Sequence, residues 1–370
     1  MSDYLENLKK RLQGQPEQNN TGMDYKSSPT EAFKVEVAAN TSAATSAPTE
    51  AELKPKEDIK APKQFFLTQS LIKDITTWNG EYNEVCPRLI YEKFITGAYR
   101  YTTDSMLEGI FGETKVLGGG ARGQEVHDLP RHKKTGEKLT AQKNIEEQSK
   151  RFDYWCASKG ISVIRGVNTQ VPIVKAFNDK IFIRTEIDLF PSPFLYKGEF
   201  RLAVMDIKFT GDINNTSGNF SWGAPQFIDH LQADMTYWLL EDFDMELNIK
   251  HAPHKEEVYK TIFGNDTITN IIKNRELMFV YFIMGYKKQP LEKQILFLHR
   301  EYYEPGESRS PTSVPKRQRE WKERGRKTLA QLNMWHQQNW KPEPGNQCVK
   351  CPVNKINGGY CDKAPELRTI

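Results

Sequence analysis

The order of hydrophobic periods along this chain predicts an α/β fold in which a mixed sheet is flanked by helices. Three observations carry it. Stretches of two-residue period lie together between Gln170 and Phe209, helical spacing recurs on both sides of them, and a further pair of apolar runs follows at Leu277 to Tyr286 and Gln294 to Tyr303.

The elements read in order as follows. Residues 1–62 form a tail. From Asn40 to Pro62 they are rich in Ala, Thr, Ser, Pro and Glu and hold no aromatic residue, so they cannot bury enough apolar surface to offset chain entropy. The tail reads as a tether that could dock on a protein partner. Residues 63–370 form the ordered domain. Leu71, Ile72, Ile75 and Trp78 recur at helical spacing, and a second helix runs from Pro87 to Tyr99. The Gly118-Gly119-Gly120 run is a loop, Gly123 to Leu129 a helix start, and Asn144 to Lys159 a helix ended by Gly160. Strands are expected at Gln170 to Phe177, Ile181 to Leu189 and Arg201 to Phe209, the first two joined by a turn at Asn178-Asp179. An apolar helix is expected from Pro225 to Asp242. The two later strands follow, and a basic helix runs from Lys316 to Trp340.

Composition sets limits. The chain has 370 residues, enough for one large domain or two small ones, and its 38% hydrophobic and 11% aromatic content supports a sizeable core. A net charge of +4 does not point to nucleic acid; local patches decide that. No apolar run approaches the length of a membrane span, and the first residues lack the apolar region of a secretory leader. With five cysteines and no such leader, the expectation is a cytoplasmic, reducing compartment, where clustered thiols serve as metal ligands.

The chemistry concentrates on the middle strands. Side chains alternate faces along a strand. Leu202, Val204, Asp206 and Lys208 therefore share a face, and Arg184, Glu186 and Asp188 share a face of the preceding strand. A charged pair ending an apolar strand is costly unless it is paired or used. Phosphodiester hydrolysis uses hard divalent cations such as Mg²⁺ or Mn²⁺ held by carboxylates and backbone carbonyls. Asp188, Asp206 and the Ile207 carbonyl suit the holding of such an ion. Lys208 suits positioning or deprotonation of the attacking water and offsetting charge on the phosphate.

These residues resemble the PD-(D/E)XK nuclease superfamily, in its RecB-like branch. The matching stretches are Gly123 to His127 (GQEVH), Thr185 to Asp188 (TEID), Val204 to Asp212 (VMDIKFTGD) and His230 to Leu240 (HLQADMTYWLL). The resemblance implies a restriction-endonuclease-like core and metal-dependent hydrolysis of DNA. It implies that His127 is a metal ligand on a helix, that Asp188 and Asp206 are the metal-binding acids, that Lys208 is the catalytic lysine, and that Gln232 lies beside the scissile phosphate. One departure is that position 236, four residues after Gln232, is Thr where the family has Tyr; Tyr237 follows it.

Cys348, Cys351 and Cys361 fall within fourteen residues and need a fourth ligand, for which Cys86 is the candidate. Four thiolates hold either zinc or an iron–sulfur cluster. The pattern is similar to that of the iron–sulfur subset of RecB-like nucleases, among them AddB-type domains and the CRISPR adaptation nucleases. That similarity implies a 4Fe–4S cluster stapling the C-terminal segment, residues 340–365, to the helices before the core. Cys156 reads as a plain buried thiol.

For nucleic acid the first candidate is the run Lys316, Arg317, Arg319, Lys322 and Arg324, with Trp321, Trp335 and Trp340 expected to pack inward. Arg131 to Lys134 is a second, smaller basic run. No phosphate-binding G-x-x-x-x-G-K-[ST] loop occurs, so unwinding would have to come from a partner. The expectation is an exonuclease acting on single-stranded DNA or DNA ends, alone or as a subunit of a helicase–nuclease or CRISPR adaptation assembly. A non-catalytic DNA-binding accessory is the rival reading.

Overall fold

The structure is a computed structural model that describes residues 65–77, 79–97, 103–119, 125–178, 181–196, 199–216, 221–225, 228–287, 291–298, 316–342 and 361. The tail at 1–62, Trp78, Cys348, Cys351 and residues 299–303 lie outside them. Among the described residues two compact units separate, one within 65–85 and 103–339, the other at 86–97, 340–342 and 361.

The first unit is built on a mixed sheet: β1 (Phe65–Thr68), β2 (Thr169–Ala176), β3 (Ile181–Tyr196), β4 (Glu199–Thr210), β5 (Met278–Gly285) and β6 (Leu291–Leu298). β2–β3, β3–β4 and β5–β6 are antiparallel; β1–β3 and β4–β5 are parallel. The expected turn at Asn178 is present: the Phe177 N–H donates to the Ile181 carbonyl, and the Asn178 side chain accepts from the Ile181 N–H. The helices of this unit are α1 (Gln69–Ile75), α3 (Asp104–Leu117), α4 (Thr140–Ser158), α5 (Leu231–Glu241), α6 (Met245–His251), α7 (Glu256–Phe263), α8 (Asp266–Lys273) and α9 (Lys316–Gln337). α2 (Pro87–Ile90) belongs to the second unit and continues as a π-helical turn over Tyr91–Ile95.

One sheet face is apolar throughout. Leu189, Ala203, Met205, Ile207, Met278, Val280, Phe282 and Met284 pack under α3 and α4, against Val116, Leu117, Phe152 and Cys156. Cys156 is thus a core thiol, and burial pushes its pKa up, which keeps it inert. The opposite face meets α5, where the Tyr237 ring packs edge-on against Phe279 with centroids 6.4 Å apart.

The structure departs from the expectations at several points: β1 and the helices α6, α7 and α8 are not expected from the sequence, and the last strand lies at Leu291–Leu298 instead of from Gln294. Of the helix start expected at Gly123 to Leu129, the described part, 125–129, is not helical, and Pro130 disfavours helical backbone at Leu129. The helix expected from Pro225 begins only at Leu231. α3 has no counterpart among the expected elements, since Gly109 and Gly112 weaken its helical pattern. Gly112 has a packing reason: a Cβ there would lie 2.4 Å from the Phe209 ring, so α3 can sit this close to β4 only with glycine. Thr103 caps α3 at its start, and Gly118, at φ 84°, ends it.

Candidate active site

β3 and β4 pair from the hairpin as far as Leu189–Met205, with a register shift between Leu189 and Ser192. Beyond that point β3 pairs with β1 and β2, while β4 continues along β5. The two strands therefore part at Asp188 and Asp206. In the fork, the Asp188 carboxylate replaces a ladder partner, its Oδ2 accepting from the Ile207 N–H at 2.7 Å. In a strand the N–H and C=O of one residue point to the same edge. The Ile207 carbonyl thus opens toward Asp188.

Asp206 is 3% exposed. Lys208 Nζ stands 2.6 Å from its Oδ2, yet that oxygen makes no well-directed hydrogen bond with any described residue. Oδ1 accepts from Gln232 Nε2, which α5 carries over this face of the sheet. The amide is oriented from behind: Gln232 Oε1 takes Gln69 Nε2 from α1 at 3.4 Å and the Tyr281 hydroxyl from β5 at 3.5 Å. Two donors on the carbonyl oxygen leave the NH₂ facing the acid.

The electrostatics follow from crowding. Desolvation raises the Asp188 pKa well above the ordinary carboxylate value, the charge of Asp206 adds to it, and Lys208 and the Ile207 N–H oppose it only in part. Desolvation would lower Lys208, but the charges of Asp206, Asp188 and Glu113 outweigh it and hold the ammonium above its ordinary pKa. Lys208 is therefore a cation here.

Glu113 is a charged neighbour that the sequence does not disclose. It lies on α3 next to Gly112, and its charge acts on both Asp188 and Lys208. Tyr281 is also undisclosed, hidden inside an all-buried strand. The Thr236 hydroxyl donates to the Gln232 carbonyl one turn back, and the phenol near Gln232 is that of Tyr281.

The structure brings Asp188, Asp206, Ile207, Lys208 and Gln232 together. It does not bring His127. That side chain is 73% exposed on an irregular segment and contacts Glu125 at 3.0 Å. The segment is held instead by the Val126 N–H on Thr114 Oγ1 and by Asp128, which Arg131 and Gln142 engage. Among the described residues no group of three or more His, Cys, Asp and Glu side chains is placed to hold a metal ion. The donors present are two carboxylates and a carbonyl, a set that fits a hard divalent cation and leaves its remaining positions to water or substrate.

The basic run on α9 does not form one open surface. Arg324 is 4% exposed and cannot meet a phosphate. Its guanidinium grips both oxygens of Asp229 at 3.1–3.2 Å and reaches Thr76 at the end of α1. Lys322 is half-buried over the Trp238 ring, 5.1 Å from its centroid. Trp321 and Trp335 are buried, as expected. A charge run counted from sequence misses that one of its members can turn inward to a buried acid. The side chains of Lys316, Arg317 and Arg319 lie outside the described residues.

In the second unit Cys86 is buried at the start of α2, and Cys361 is half-buried. Tyr91 packs on Trp340 at 5.2 Å, so the segment after Cys86 meets the start of the C-terminal segment.

No protein-family profile matches the chain. No curated protein matches it either. Among solved structures, a candidate exonuclease from Eubacterium rectale is similar at TM-score 0.45 and 14% identity, covering 78% of this chain and 88% of that one. No helix among the described residues is long and apolar enough to cross a membrane.

Proposed function

We propose that the protein is a metal-dependent nuclease of the PD-(D/E)XK type that hydrolyses phosphodiester bonds of DNA, acting as an exonuclease on single strands or ends. The observation that carries this reading is the strand fork, where Asp188, Asp206, the Ile207 carbonyl and the Lys208 ammonium converge within one opening of the sheet. A bound Mg²⁺ or Mn²⁺ would supply Lewis acidity toward the phosphate. Asp188, Asp206 and the Ile207 carbonyl would hold it. The remaining roles belong to the chain. Lys208, held charged, orients the attacking water and offsets the negative charge that grows on the phosphate oxygens. Gln232 fixes Asp206 through one carboxylate oxygen and leaves the other to the Lys208 ammonium. The buried apolar strand behind the acids limits water and strengthens each of these interactions.

The test compares end-labelled linear single-stranded, linear duplex and circular single-stranded DNA, and RNA of the same sequence, with Mg²⁺, Mn²⁺ or chelator. Loss of the linear DNA alone, dependent on metal, is the expected pattern. Cutting of circles would replace exonuclease by endonuclease action, and preferential loss of RNA would overturn the DNA assignment.

Cys86, Cys348, Cys351 and Cys361 would hold a 4Fe–4S cluster, and the Tyr91–Trp340 contact supports a junction between the segments that carry them. Anaerobically purified protein is expected to be brown with about four irons per chain. Cys86→Ser should lose that iron, and Cys156→Ser, in the core of the first unit, should keep it. Zinc without iron would contradict the cluster.

A further inference from the structure

Lys73 lies one turn after Gln69 on α1, the helix that reaches Gln232. Its side chain is only 14% exposed. Its ammonium forms a long ion pair with Asp229, 4.0 Å away and beyond hydrogen-bond distance. Asp229 is already engaged: Arg324 takes both its oxygens, and the Leu231 N–H takes Oδ1 at 2.9 Å. No described residue makes a hydrogen bond to the Lys73 ammonium. An ammonium that spends no hydrogen bond on the protein and keeps some exposure has donors left for an anion. Desolvation lowers its pKa, the positive charges of Arg324 and Lys208 act the same way, and Asp229 and Asp206 offset this in part. Lys73 and Lys208 thus share one electrostatic neighbourhood beside Asp206, and an anion there would satisfy both.

We propose that Lys73 binds a phosphate of the substrate strand, through a non-bridging oxygen, so that α1 forms a second wall of the nucleic-acid site. This rests on the nuclease reading above. An ammonium suits that contact, because it offers three N–H donors on a compact charge, and none of them is spent on a described residue. Arg324, by contrast, is spent on Asp229. That pair fixes the acid's position and takes its hydrogen bonds, so Asp229 gives Lys73 a charge partner at 4.0 Å while the ammonium's donors stay available for a ligand.

The experiment measures binding of a fluorescent single-stranded DNA dodecamer by anisotropy, in chelator so that no cleavage occurs, across a series of salt concentrations. Wild type, Lys73→Met and Lys73→Arg are compared. Lys73→Met keeps the packed stem and loses the charge. It is expected to bind at least about tenfold more weakly, the strength of one charge-assisted contact. The slope of log affinity against log salt should shrink by about 0.7, the value for one phosphate contact on a single strand. Lys73→Arg should bind within a few-fold of wild type. Lys73→Met also loses the ion pair with Asp229, so melting curves check that each variant is folded at the assay temperature; Lys73→Gln carries the same comparison if the methionine variant does not fold. Wild-type affinity and slope in Lys73→Met overturn the proposal. A wild type that binds the strand but cuts no nucleic acid with Mg²⁺ or Mn²⁺ overturns the nuclease reading and leaves the phosphate contact standing. A wild type that binds no strand overturns both.

Discussion

Lys208→Met is expected to slow DNA cleavage by about 10²–10³-fold, the usual cost of removing one preorganised group from a transition state. Single-strand affinity should stay within a few-fold. The split follows from where the ammonium sits. It is held by Asp206 at 2.6 Å and by the charges of Asp188 and Glu113, so its position is set by the protein and not by the substrate. Methionine fills the same space on β4 without the charge, which separates chemistry from packing. Arginine should not rescue the rate: its planar guanidinium is larger and would displace the Gln232–Asp206 contact. Single-turnover cleavage with the fold checked by thermal melting makes the measurement. A rate within tenfold of wild type would remove Lys208 from the chemistry.

The second large effect concerns stability. Arg324→Ala is expected to destabilise the protein by about 3–5 kcal/mol, because it leaves a buried carboxylate without its main partner. Arg324 joins three elements at once: its own helix α9, the end of α1 at Thr76, and Asp229 just ahead of α5. Burial works to raise the Asp229 pKa, but Lys73 and Arg324, with hydrogen bonds from Arg324 and the Leu231 N–H, hold it below the ordinary value. A depressed folded pKa means a contribution to stability that is complete above the unfolded value of roughly 4 and is lost as pH falls through the folded one. Wild type should therefore resist acid into that lower range. In Arg324→Ala the Asp229 pKa rises, so acid unfolding should begin at higher pH. Urea titrations at neutral and acid pH check both statements. A variant as stable as wild type at neutral pH would show that Arg324 is a solvated surface charge.

How much of the fold and the site is legible in the sequence differs by residue. Asp206 and Lys208 are legible because strand alternation puts both on one face, and the acids of a nuclease-like motif follow in order. Asp188 is legible from its place on the preceding strand. The fork that joins them is not: it depends on where β3–β4 pairing ends, and the register shift after Leu189 leaves no mark in the hydrophobic pattern. Glu113 is hidden because its helix carries two glycines, one of them required by contact with Phe209. Tyr281 is hidden because every residue of β5 is buried, so a phenol that reaches Gln232 looks like core. The surroundings of His127 are not legible: the helix start read at Gly123 to Leu129 is irregular chain over 125–129. Arg324 is misplaced because charge runs carry no information on burial, and only the tertiary partner Asp229 turns it inward.

The most direct measurement is cleavage of end-labelled single-stranded DNA by wild type and Asp206→Asn, each with Mg²⁺, Mn²⁺ or chelator, beside their melting curves. Asparagine keeps the shape and the Gln232 contact but removes the charge that a cation and Lys208 both need. The expected result is metal-dependent degradation by wild type, none by Asp206→Asn under any condition, and a variant that still melts cooperatively. Equal degradation by the two proteins, or a wild type that degrades DNA as fast in chelator as in Mg²⁺, would contradict a metal-dependent site at the strand fork.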